Sequence, residues 1–175
     1  MRIELGDCEL RAYEPGDVTS LARAANNPRV AAQLRDRFPH PYTEADARAW
    51  IAVVTAQQPV TSFAIATPHA VIGGIGLEPQ PDVHRHTAEL GYWLAEPYWR
   101  RGIATRAVQA FTEQSFVEYS LVRIYAFVFE TNPASARVLE KAGFQLEGRL
   151  RSSVIKHGEH LDQLLYARLR PAERR

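Results

Sequence analysis

The sequence predicts an α/β protein, a three-layer α/β/α sandwich around a mixed central sheet, and three observations predict it. Apolar residues alternate in several short runs and recur at helical spacing between them. One strand-helix-strand unit lies in the middle of the chain, and a parallel pair of strands needs such a crossover. The runs outside it follow one another in the manner of antiparallel neighbours.

Taken in order, residues 8–13 form a first strand, in which Cys8 is a small, half-buried residue. Glu14-Pro15-Gly16 ends it, and Asp17 is positioned to cap a helix running to Ala25. Asn26-Asn27-Pro28 breaks that helix, and a second short helical stretch carries Arg29, Arg35 and Arg37 toward Phe38-Pro39-His40-Pro41. Thr43-Glu44-Ala45-Asp46 is a near capping box that opens a helix to about Ala56. Residues 60–66 and 71–77 are two strands, the second carrying Gly73-Gly74, where a bulge or close packing is expected. Residues 79–86 make a polar loop. Its His84-Arg85-His86 lacks a carboxylate or cysteine at ligand spacing and predicts no metal site.

Thr87–Leu94 is the next strand, with Glu89, Gly91 and Trp93 on one face and Leu90, Tyr92 and Leu94 on the other. After Glu96-Pro97 comes a turn, Arg100-Arg101-Gly102, and then a helix on which Ala104, Ala107, Val108 and Phe111 fall at i, i+3, i+4 and i+7. Residues 122–129 are an apolar strand. Asn132 then caps a helix over residues 133–142, with Pro133 in its first turn, Gly143 past its end, and Ser135, Val138, Leu139 and Ala142 as its inward face. Residues 145–154 and 160–169 flank a hairpin turn at Lys156-His157-Gly158-Glu159, and residues 171–175 are a frayed tail behind one domain over residues 1–170.

The composition narrows the function classes. A chain of 175 residues, 46% of them hydrophobic, can build one sizeable core. Lys plus Arg number 21 and Asp plus Glu 20, so the net charge of +1 carries no footprint for nucleic acid. A single cysteine excludes an internal disulfide and a multi-cysteine metal site, and suits a reducing cytoplasm. No apolar run approaches the ~18 residues of a membrane span, and the first residues do not begin a signal peptide. A cytoplasmic protein without a membrane partner is expected.

Two stretches carry chemistry. In the turn before the first long helix, backbone N–H groups without partners point together at the positive end of the helix dipole. Gly102 lets a ligand approach closely, Ala104 adds little bulk, and two arginines favour a phosphate or pyrophosphate. A solvated loop capping a core helix is the plainer reading of that stretch, and a tolerated small residue is the plainer reading of Ser135.

Together, Trp99-Arg100-Arg101-Gly102-Ile103-Ala104 and the set Asn132, Ser135, Val138, Lys141, Gly143 and Phe144 resemble the two signature motifs of the GNAT acyltransferases. Trp99 departs from the first, where glutamine or arginine is usual. With Glu89-Leu90-Gly91-Tyr92-Trp93-Leu94 before it, that tryptophan is similar to the branch containing the ribosomal-protein N-terminal alanine acetyltransferases. The resemblance implies a sheet in which the strands over residues 87–94 and 122–129 splay apart. It also implies an acetyl-CoA donor held by Trp93, Leu94, Arg100, Arg101, Gly102, Ile103, Ala104, Thr105, Asn132 and Ser135.

The implied reaction is direct attack of an amine on the thioester, for which the amine must be neutral, the oxyanion stabilised and the thiolate hydrogen-bonded as it leaves. Ser135 is the expected partner of the sulfur, Asn132 of the pantetheine, and the backbone N–H near Leu94 of the oxyanion. Glu89 is the expected base, acting through a water, with His86 in reserve; its alternative role is to pair with an arginine. The acceptor is expected to be a protein or peptide N-terminal α-amine, with a polyamine, aminoglycoside or amino acid as the alternative and a CoA-binding module without activity as another. A homodimer is expected, through an edge near Leu164 and Leu165.

Overall fold

The computed structural model describes residues 1–171, so of the expected tail residues 172–175 lie outside the described part. The chain contains β1 (Ile3–Glu4), β2 (Glu9–Arg11), α1 (Val18–Ala25), α2 (Pro28–Ala31), α3 (Glu44–Thr55), β3 (Ser62–Ala66), β4 (Val71–Pro79), β5 (Thr87–Leu94), α4 (Ile103–Glu118), β6 (Arg123–Phe129), α5 (Pro133–Lys141), β7 (Gln145–Lys156) and β8 (Glu159–Leu169). The strands form one mixed sheet in the order β1-β2-β3-β4-β5-β6-β8-β7. This is the predicted α/β class. No described helix is long and apolar enough to cross a membrane.

Two compact units are distinguished by their internal contacts. The first comprises Met1–Gly76 and Tyr92–Ala107. Its core is built by α1 and α3, whose Leu21, Ala25, Ile51 and Val54 pack with Ala64 and Val71 of the sheet. Full burial of a leucine, isoleucine or valine stabilises by roughly 1.5–3 kcal/mol, so these side chains, not helix propensity, hold α1 and α3 in place. The predicted capping box of α3 is present, with Thr43 Oγ1 accepting from Asp46 N at 3.2 Å and Asp46 Oδ2 accepting from Thr43 N at 2.8 Å.

Asp17 behaves otherwise than expected. Its side chain does not cap α1; it accepts from Arg11 Nη1 at 2.7 Å, Arg11 Nη2 at 2.8 Å and Glu14 N at 2.8 Å. A buried carboxylate is stabilised more by a two-pronged guanidinium than by one helix N–H. Cys8 is fully buried, and burial, with Asp7 beside it, pushes its thiol up.

The second unit comprises Leu77–Gly91 and Val108–Arg175. Phe111, Leu121, Ile124, Leu139 and Phe144 are among its buried side chains. β5 and β6 pair in parallel at Thr87↔Arg123, Ala88↔Ile124 and Glu89↔Tyr125, the first three residues of each strand. β8 pairs with the whole length of β6, from Arg123↔Leu169 to Phe129↔Gln163. Short pairing on one side of β6 and long pairing on the other is what a splayed sheet requires.

β8 pairs with β7 as well, Leu164 facing Arg149 and Leu165 facing Gly148. The edge expected near Leu164 and Leu165 is therefore absent: both residues sit on an interior strand, and β7 is the edge. The β7–β8 turn has His157 at φ 52° and Gly158 at φ 81°, the paired positive angles of a tight hairpin.

Helix α5 is bounded as predicted but turned. Its buried residues are Ala136, Leu139 and the capping Ala142, while Ser135 and Val138 lie half-buried at the margin of that stripe. Its end is a Schellman motif: Phe144 N donates to Leu139 O and Gly143 N to Glu140 O, both at 3.0 Å, with Gly143 at φ 84°. Arg168 Nη1 adds a bond to Ala142 O at 2.9 Å, placing a cation at the negative end of the helix.

Candidate active site

In the first unit, β5 ends in Trp93 and Leu94, and Trp93 lies directly over β4. A Cβ built on Gly73 would stand 2.4 Å from Trp93 O, and one on Gly74 would stand 2.8 Å from Trp93 Nε1 and 2.6 Å from Tyr13 Oη. The two glycines thus serve close packing. The one irregularity in the β3–β4 register falls at Ile65/Ala66, opposite Gly73 and Val71. Phe38 packs edge-on against Trp93, with ring centroids 5.5 Å apart, and Tyr42 packs on Phe38 at 5.1 Å. Burial, helped by the Asp46 carboxylate, pushes the Tyr42 hydroxyl up to about 12, so it is neutral at physiological pH.

The turn after β5 has the geometry of an anion cradle. Arg100 is at φ 62° and Gly102 at φ 74°, and α4 begins at Ile103. Left-handed residues alternating with ordinary ones turn successive N–H groups to one side, and the helix start adds its own dipole. A Cβ on Gly102 would meet only Arg106 Nη1, at 3.6 Å, so the space above the turn is open. Arg100 and Arg101 are exposed, Arg101 lying over the Tyr98 ring at 5.3 Å; Ile103 is buried, and Ala104 and Thr105 are half-buried.

Sequence reasoning missed Arg106. Its Nε donates to Leu5 O at 3.1 Å and its Nη1 to Arg101 O at 3.3 Å, and its Nη2 pairs with Asp7. It ties the cradle to the β1–β2 turn. A cation in the first turn of a helix opposes the dipole, and that was the available signal that Arg106 has a local task.

In the second unit, Glu89 sits half-buried on β5, in register with Tyr125. His86 is exposed, and its Nδ1 lies 3.1 Å from Ser120 O, so that nitrogen carries the hydrogen. Asn132 Oδ1 accepts from Ser135 N at 3.1 Å, which makes Asn132 the cap of α5 and joins the two motif residues. Among the described residues, no cluster of three or more histidine, cysteine or carboxylate side chains is arranged to hold a metal.

Residues 8–145 match the profile of the acetyltransferase (GNAT) domain. The chain belongs to the GNAT acetyltransferase family. One relative, the uncharacterized N-acetyltransferase YoaA of Bacillus subtilis (strain 168), is 38% identical over 103 residues, 59% of this chain and 58% of that protein. The ribosomal-protein-serine acetyltransferase of Escherichia coli (strain K12) is 36% identical over 83 residues, 47% of this chain and 46% of that protein. The chain therefore spans about half the length of these curated relatives, 58% and 46%. Among solved structures, the ribosomal-protein-S5-alanine acetyltransferase from Vibrio fischeri superposes with a TM-score of 0.84 over 100% of both chains at 22% identity, a likeness of fold. The resemblance to the GNAT family and to its ribosomal-protein branch is thus borne out.

Proposed function

We propose that this chain is an N-acetyltransferase that moves an acetyl group from acetyl-CoA directly to a primary amine, with a protein or peptide N-terminal α-amine as acceptor. The observation that carries the reading is the cradle. Arg100 and Gly102 hold left-handed backbone beside a helix start, over open space and between exposed arginines, and that fits a pyrophosphate. Arg100, Arg101 and the backbone from Gly102 to Thr105 would hold the phosphates, Trp93 and Leu94 the adjoining part of the donor, and Asn132 the pantetheine. Bound acetyl-CoA supplies the activated acetyl group.

With acetyl-CoA bound, Glu89 would take a proton from the incoming ammonium through a water, the Leu94 N–H would meet the developing negative charge, and Ser135 would donate a hydrogen bond to the departing sulfur. Proton chemistry and the relatives' names support this acceptor. An α-amine with pKa near ~8 is about one-tenth neutral at pH 7, while a lysine amine near ~10.4 is neutral in well under one molecule in a thousand. One half-buried carboxylate is enough help for the former. A homodimer belongs to the same reading, with β7, where Leu146 and Ile155 are exposed, as its edge.

The test is an acetyl-CoA consumption screen against peptides with different N-terminal residues, run beside polyamines, aminoglycosides and amino acids. Turnover of one or a few peptides supports the reading. Turnover of small amines alone moves the acceptor class, and binding without turnover of anything leaves a CoA-binding module.

A further inference from the structure

The backbone from Leu94 to Trp99 is closed on itself. Trp99 Nε1 donates to Leu94 O at 2.6 Å, Trp99 N donates to Glu96 O at 3.1 Å, and Ala95 N donates to Ile72 O at 2.8 Å. Trp99 immediately precedes Arg100, whose φ of 62° is a conformation that non-glycine residues hold only when their surroundings impose it. The indole N–H supplies that constraint upstream of the turn, as Arg106 does downstream.

Trp99 is itself held from α2. The Arg29 guanidinium lies over its ring at 5.5 Å and pairs with Glu96 Oε1, while Asn27 Nδ2 donates to Glu96 Oε2 at 2.8 Å. Asn27 also caps α2, accepting from Arg29 N at 2.8 Å, so one asparagine fixes both the short helix and the carboxylate. All of these residues belong to the first unit.

We propose that Trp99 is a positioning residue for the donor, that it holds the Arg100–Gly102 cradle in its binding shape by fixing the Leu94 carbonyl, and that Arg29 holds Trp99 in turn. The proposal rests on the donor reading given above. It accounts for tryptophan where the GNAT motif usually has glutamine or arginine. The residue works through its N–H on the chain's own backbone, and the aromatic ring gives α2 a surface to grip.

The experiment is calorimetric titration of the full chain with CoA, paired with thermal unfolding, for the wild type, Trp99→Phe and Arg29→Ala. Phenylalanine keeps a ring under Arg29 and removes only the N–H. The loss of that bond should raise the CoA Kd roughly tenfold, and loss of the cation over the ring should raise it roughly threefold. A purely structural role would lower the melting temperature and leave Kd unchanged, and that result for Trp99→Phe overturns the proposal. Arg29 is largely exposed, so its variant folds even if the tryptophan variant does not, and an unchanged Kd in Arg29→Ala overturns the link to α2. Wild-type protein that binds no CoA overturns the donor reading itself, and the present proposal with it.

Discussion

Replacing Gly102 by glutamate separates the unusual backbone that the cradle holds from the anion binding proposed for it. The backbone cost comes from φ 74°, where an L-residue is strained by about 1–2 kcal/mol. No clash adds to it, since the nearest atom to a new Cβ is Arg106 Nη1, at 3.6 Å. For a chain of this size that strain lowers the melting temperature by roughly 3–6 °C. The charge cost is larger and falls on binding alone. A carboxylate about 5 Å from one phosphate charge, at an effective dielectric near 20, repels it by about 3 kcal/mol, which is more than a hundredfold in Kd. Gly102→Ala is the control, because it carries the strain without the charge. Calorimetry with CoA at low salt should show the alanine variant within roughly tenfold of wild type and the glutamate variant weaker by a further factor of about a hundred. If both variants melt alike and the glutamate variant still binds CoA as the wild type does, the anion does not sit at this turn.

Further outcomes are expected elsewhere. Glu89→Gln should lower turnover about 10²-fold with CoA affinity little changed, and Ser135→Ala should be milder, because water can partly replace its hydrogen bond to sulfur. The Glu89→Gln deficit should shrink as the acceptor becomes neutral; a deficit constant from about pH 6 to about pH 9.5 would show a structural glutamate. Asn132→Ala removes the cap of α5 and should cost about 0.5–2 kcal/mol in urea unfolding, whereas Asn132→Asp should retain most of it. Asp162 is held below its usual range, first by the Ser152 N–H at 2.7 Å and then by Arg149. Its lowered folded-state pKa means a contribution to stability that is present above the ordinary aspartate value of 3.8 and lost as the pH falls below it. Asp162→Asn should therefore flatten the acid side of the stability profile, and an unchanged slope would show that the carboxylate bonds contribute nothing.

Local signals carried much of the architecture. The bounds of β5, the capping box at Thr43 and the stop at Gly143 were legible because each depends on residues within one turn or strand. The face of α5 was misjudged because Leu139 and Ala142 belong to two overlapping stripes. Alanine at 136 and serine at 135 differ too little in hydrophobicity to decide between them. The position of β8 was misread although its apolar run over residues 164–167 is the kind a strand paired on both sides carries. Strand order is a non-local property, and no turn residue announces it. For the site, the cradle was visible as glycine and arginines before a helix. The supports were not: Arg29 and Glu96 are 67 positions apart, and Arg106 and Leu5 are 101.

The seat of Trp93 limits how this protein can vary. Nothing larger than hydrogen fits at Gly73, because the obstacle is a main-chain carbonyl that no rotamer change moves aside, and at Gly74 two side-chain heteroatoms already occupy the room. A lineage under selection for a different packing around Trp93 therefore has no small steps available on that floor. A library randomised across the first unit would return glycine at both positions and spread its diversity over the segment that brings in Phe38 and Tyr42. Any change of shape beside Trp93 has to be written in that covering segment.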